Sequence, residues 1–172
     1  MWKKKSILWN LLYWQVLQVR NAIDVMHLSK NLCMNVLGLL GVYGKSKDTL
    51  EARRDMQQLA GQQGLQPEKR DKGRHYLKPA SYNMSKEEKE SMFDCLNSIN
   101  VPSGYSNIQG TINVKEKKIQ NLKSHDCHIL MTQLLPVILR GVLPENVRLA
   151  VVKLCAFMNE ISQKAINPKR AN

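Results

Sequence analysis

Two short clusters of acid and imidazole stand out in this chain, Asp24-Val25-Met26-His27 and Ser124-His125-Asp126-Cys127-His128. Carboxylates and imidazoles held on rigid elements are what metal-dependent phosphoryl transfer needs, because divalent cations take oxygen ligands and activate water for in-line attack on a phosphodiester. On a helix, Asp24 and His27 share one face, as do His125 and His128, since residues three apart are surface neighbours. Asp24 and Asp126 are therefore the candidate metal ligands, and Asp24, His27 and Asp126 the candidate catalytic set, with Glu145 and Glu160 as further acids downstream. A plainer assignment stands beside this one: a carboxylate ahead of an apolar helical run caps that helix, and histidines pack at helix ends. Zinc on His125, Cys127 and His128 would need a fourth ligand, and none follows at suitable spacing.

The elements that must position these groups read as mainly helical. Asp24 caps a helix running to about Leu40, with Val25, Leu28, Leu32, Val36 and Leu39 at three-to-four spacing, and Gly41 and Gly44 end it. A second helix from Asp48 to about Ala60 is polar on most faces, with Leu50, Met56 and Leu59 as apolar anchors, which places it on the surface. The stretch from Gly61 to Ser81, rich in Gln, Gly, Lys and Arg and containing Pro67 and Pro79, reads as a mobile linker. Ser85-Lys86-Glu87-Glu88 is a capping box that starts a helix ending near Ile99. Pro102, Gly104 and the alternation Thr111-Ile112-Asn113-Val114 give a loop and one short strand at most. A helix opening near Ser124 carries Ile129, Leu130, Gln133, Leu134 and Val137, and Pro136 must bend or interrupt it because its ring removes a backbone donor. Pro144 then stands in the first turn of a helix whose Val147, Val151, Leu154, Met158 and Ile161 form one apolar face, a core face by default.

A chain of 172 residues, 43% of them hydrophobic, can bury one modest core. Its net charge of +12 and pI near 9.7 favour polyanionic partners, with DNA in the lead, bound without sequence preference and sensitively to salt through counterion release. The charge is concentrated at Lys3, Lys4 and Lys5, at Lys69, Arg70, Lys72, Arg74 and Lys78, and at Lys115, Lys117, Lys118 and Lys123. Any one such run also reads as an ordinary solvated surface. Cys33, Cys95, Cys127 and Cys155 form no CxxC pair, so neither a disulfide framework nor a zinc knuckle is signalled, and a reducing compartment is the simpler reading. No run of about 18 apolar residues occurs, and no membrane partner is expected. The apolar start is broken by Asn10 and Gln15 and lacks a small-residue cleavage site, so it does not read as a signal peptide.

Several stretches follow one another in a telling order. They are Trp2-Lys3-Lys4-Lys5-Ser6-Ile7-Leu8-Trp9, Leu12-Tyr13-Trp14 and Val19 to Cys33; then Gly110 to Val114, Leu122 to His128 and Leu134 to Pro144; then Asn146-Val147-Arg148 and Lys153-Leu154-Cys155-Ala156-Phe157. This series resembles the transposase reading frame of plant CACTA (En/Spm-like) elements. The resemblance implies that residues 1–45 are the C-terminal part of a transposase domain whose catalytic core is RNase H-like. Residues 46–84 would be a surface helix and basic linker, and 85–172 a helical region leading into a truncated accompanying domain. It further implies an incomplete helical fragment, because family members are several times longer and carry their first catalytic aspartates upstream. The full-length family would use Mg2+; this fragment, with one or two of the acids, would hold no cofactor and have no activity alone. DNA, other transposase subunits and a nuclear location follow from the same likeness. Asn21-Ala22 stands where the family has His-Asn, and Ser29 and Met34 stand where it has acids, departures that weaken metal and phosphate handling. The alternatives are an interaction module presenting the Val147 to Ile161 face, a small nuclease needing Asp24, Asp126 and a third acid together, and a relic without function.

Overall fold

The computed structural model describes residues 6–18, 24–60, 63–70, 74–102 and 104–164. Helix α1 (Val25–Leu39) begins at the expected cap, with Asp24 Oδ1 accepting from the His27 N–H at 3.0 Å. It ends in a Schellman turn: Gly41 takes a φ of 72°, the Val42 N–H donates to the Leu37 carbonyl at 3.0 Å and the Gly41 N–H to that of Gly38 at 3.3 Å. The buried stripe is Ser29, Cys33 and Leu37, whereas Val25, Leu28, Leu32, Val36 and Leu39 are only half-buried beside it. The apolar face expected from spacing is thus rotated, because small Ser29 and Cys33 let a second helix lie close against α1.

Thr49 caps α2 (Leu50–Ala60), its Oγ1 accepting from the Ala52 N–H at 3.2 Å. Most of α2 is exposed as its polar sequence predicts, but Arg53 is buried. The stretch after α2 is more than a linker. Following a 3-10 turn at Gln63–Leu65, strands β1 (Glu68–Lys69) and β2 (His75–Tyr76) pair antiparallel, and the Arg70 N–H donates to the Arg74 carbonyl at 2.8 Å. Two residues per strand are too few for alternation to register in the sequence.

The capping box of α3 (Lys86–Ser98) is complete, with Ser85 Oγ accepting from the Glu88 N–H at 3.1 Å and Glu88 Oε2 from the Ser85 N–H at 2.7 Å. Met92, Phe93 and Leu96 face the core. Beyond it, β3 (Ile112–Asn113) has a partner that the sequence does not announce, β4 (Lys118–Ile119). Lys117, between them, sits in the left-handed region at φ 51°. Ile119 also bridges Tyr43, and its N–H donates to the Val42 carbonyl at 2.8 Å, which ties this hairpin to the end of α1.

A long rod follows: α4 (Ser124–Ile129), a π-helical turn at Leu130–Leu134 and α5 (Leu135–Ile138). Pro136 has no N–H for the Thr132 carbonyl, and the rod absorbs the defect by widening, the Leu135 N–H reaching back to the Leu130 carbonyl. One extra residue per turn rotates everything after it by about 100°. Leu135 and Ile138 consequently point inward, while Gln133 and Val137, expected on the apolar face, are exposed, Val137 by 52%.

Pro144 stands immediately ahead of α6 (Glu145–Ile161). Met158 and Cys155 of α6 are buried in the central cluster, and Val147, Val151, Leu154 and Ile161 lie half-buried against it, so the face that an interaction module would present packs on the chain's own core and stays partly open. The fold is mainly α: α1 lies along α4, and α6 lies against the π turn and α5. Residues on both sides of position 45 share this one core.

Candidate nucleic-acid interface

Both oxygens of Asp126 are committed to the fold. The side chain is 4% exposed; Oδ1 accepts from Ser106 Oγ at 2.7 Å and from the Asn107 N–H at 3.2 Å, and Oδ2 accepts from the Lys123 N–H at 3.2 Å. Burial pushes its carboxyl up, but these three donors outweigh burial and hold it below the usual carboxylate range. Asp126 therefore staples the start of α4 to the 106–107 loop. His125 Nε2 lies 2.8 Å from the Tyr105 carbonyl, which can only accept, so Nε2 carries a proton. Tyr105 is held in turn by Gln133, its ring edge-on to the imidazole at 6.3 Å.

Asp24 and His27 are exposed on the first turn of α1, linked by the capping bond. The second cluster touches α1 just beyond the first one, where Ser29 Oγ of α1 lies 3.5 Å from His128 Nδ1 of α4. Among the described residues, no three of His, Cys, Asp and Glu converge where a metal ion would sit. The donor set does not fit Mg2+: Asp126 is spent on three hydrogen bonds, and Asp24 is a helix cap.

What the same helices bring together is thiols. Cys33 of α1, Cys127 of α4 and Cys155 of α6 are buried in one cluster and are free. A hydrogen bond with Cys127, and then burial, push the Cys33 thiol far up, while burial alone pushes Cys155 up to about 11. Their wide separation in sequence hides this meeting.

A second buried group also escapes sequence reading. Arg53, 1% exposed, donates from Nε to Asp48 Oδ1 at 2.7 Å and from Nη2 to Oδ2 at 2.6 Å, a two-pronged ion pair. Tyr82 Oη donates to Asp48 Oδ1 at 3.1 Å, and Arg53 Nη1 reaches the Leu65 carbonyl at 3.5 Å. The Arg53 hydrogen bonds hold the Asp48 carboxyl low against the opposing effect of burial. Leu65 and Tyr82 flank the β1–β2 hairpin, so the pair roots it.

That hairpin carries a cluster of exposed charge. Lys69, Arg70 and Arg74 are all exposed, and the Arg70 guanidinium lies 4.0 Å from the centroid of the Tyr76 ring. Glu68 is occupied by Lys78 at 2.6 Å. The second basic group is weaker than its sequence suggests, because Lys117 is paired with Glu90 and Lys118 is half-buried; Lys123 stays exposed. Lys3, Lys4, Lys5 and Lys72 lie outside the described residues.

No family model, curated protein or solved structure matches the chain.

Proposed function

We propose that this chain is a transposase-derived piece of the CACTA type its motifs resemble, which binds duplex DNA without catalysing a step of its own. The observation that carries the reading is the exposed basic hairpin, with Lys69, Arg70 and Arg74 displayed on a rooted ribbon and Glu68 beside them paired with Lys78. The ordered series of motifs supports the transposase origin. A nuclear location and the company of other transposase subunits go with that origin. No helix among the described residues is long and apolar enough to cross a membrane.

The test is binding to a fluorescent duplex, with and without magnesium, as salt is raised. If the hairpin and Lys123 together neutralise about four phosphates, log affinity falls with log salt at a slope of about −3.6, or about 150-fold between 50 and 200 mM. Magnesium should change affinity only as a competing cation. Absence of binding at low salt refutes the proposal, and magnesium-dependent cleavage refutes its non-catalytic half.

A further inference from the structure

We infer that the β1–β2 hairpin enters the major groove of B-form DNA with the face that carries Arg70, Arg74 and Tyr76. This rests on the nucleic-acid reading above and adds the groove and the duplex form. The register sorts the side chains. Glu68 lies opposite Tyr76 and Lys69 opposite His75, and the Arg70 N–H donates to the Arg74 carbonyl. Because side chains alternate along a strand, Glu68, Arg70, Arg74 and Tyr76 share one face, and Lys69 and His75 the other. The contact of the Arg70 guanidinium with the Tyr76 ring at 4.0 Å is the diagonal contact this sorting demands. With Glu68 held by Lys78, the first face offers two arginines and an aromatic ring, and the one carboxylate among its described residues is already paired.

Width selects the groove. Two strands about 4.8 Å apart, clothed in side chains, fill a major groove about 12 Å wide, whereas a minor groove about 6 Å wide must first be widened by bending the duplex. The major groove of A-form RNA is too deep and narrow for such a ribbon. Rigidity matters as well, since a loose basic loop would neutralise phosphates but not hold a planar guanidinium against a base edge. Here the two feet are tied to one buried ion pair, through the Leu65 carbonyl to Arg53 and through Tyr82 Oη to Asp48. The chemistry that arginine on this face meets in the major groove is the paired O6 and N7 acceptors of guanine.

The experiment compares three duplexes of one sequence: DNA, RNA, and DNA with 7-deazaguanine in place of guanine, which removes the N7 acceptor. The wild-type chain should bind DNA about 10-fold more tightly than RNA, and at least about 5-fold more tightly than the 7-deaza duplex. The double variant Arg70→Lys with Arg74→Lys keeps the charge and loses the planar fork, so it should keep the salt slope and lose the 7-deaza effect. Lys69→Ala with His75→Ala, on the other face, should weaken binding to all three duplexes alike and keep both preferences. These substitutions are at exposed positions, and circular dichroism checks that helix content is retained. Equal wild-type affinity for the three duplexes, or identical preferences in the two double variants, overturns the inference while leaving DNA binding intact. Failure to bind any duplex at low salt overturns the underlying reading, and the inference with it.

Discussion

Replacing Arg53 by methionine keeps most of the side chain's length and removes its charge, and it should be among the most damaging single changes available in this chain. The structure supplies the magnitude. Arg53 is 1% exposed and its Asp48 partner 7%, and the two hydrogen bonds between them measure 2.7 and 2.6 Å. With the guanidinium gone, Asp48 keeps the Tyr82 hydroxyl at 3.1 Å as a donor but is left as a buried carboxylate without a counter-charge. Breaking a buried pair in this way costs about 3–5 kcal/mol. At a urea m-value of about 2 kcal/mol/M, the unfolding midpoint should drop by about 1.5–2.5 M. Urea titrations of Arg53→Met, Asp48→Asn and the double variant close a cycle, and the double variant should recover about 2 kcal/mol or more of the summed losses. A coupling energy below about 0.5 kcal/mol would refute the reasoning, because it would mean the pair is solvated and not buried. The pH dependence follows with a defined sign. Hydrogen bonding to Arg53 depresses the Asp48 carboxyl in the folded state. Its stabilisation is therefore complete above the unfolded value of about 3.9 and is lost as pH falls through the lower folded value. Asp48→Asn should remove that part of the acid sensitivity. Amide exchange at Arg70, which is protected by the Arg74 carbonyl, should quicken in Arg53→Met because the hairpin loses its anchor.

Two further outcomes test the assignments of the acid clusters and of the thiols. Asp24→Asn should be nearly neutral and Asp24→Ala cost about 1 kcal/mol, as expected of a helix cap; Asp126→Asn should cost about 1–3 kcal/mol, since an amide cannot serve all three donors. A loss of magnesium-dependent DNA cleavage in either asparagine variant, with stability unchanged, would instead restore the metal-site reading. Ellman's reagent at pH 8 should titrate half-buried Cys95 in the native protein and all four cysteines only after unfolding. Rapid native reaction of Cys33, Cys127 or Cys155 would contradict their packing in the core, which shields all three from the reagent.

The features legible in the chain alone are those closed within a few residues. Asp24 and His27, Ser85 and Glu88, and Leu37 with Gly41 and Val42 each complete their hydrogen bonds inside one turn, so helix starts and stops are written locally. The apolar spacing of Val147 to Ile161 likewise predicts a core face, and α6 packs that face on the core, burying Met158 and half-burying the others. Side-chain partners across long separations were not legible. Asp126 reads equally as a ligand, a catalytic acid or a cap until Ser106 and Asn107 are seen to occupy it. Arg53 reads as one more solvated cation of a polar helix, even with Asp48 close by in sequence, until Leu65 and Tyr82 come in from further along the chain to meet the pair. Even the register of the rod from α4 to α5 escapes the pattern, because the π turn at Leu130–Leu134, just ahead of Pro136, rotates the later apolar face. Mainly helical architecture and strong positive charge were properties of the sequence itself, being sums over local propensity and composition. Which carboxylates are spent on the fold, which thiols meet and which cations stand free on a rooted hairpin were decided only by tertiary structure. Those properties depend on packing between residues far apart in the chain, and no periodicity or motif encodes that distance.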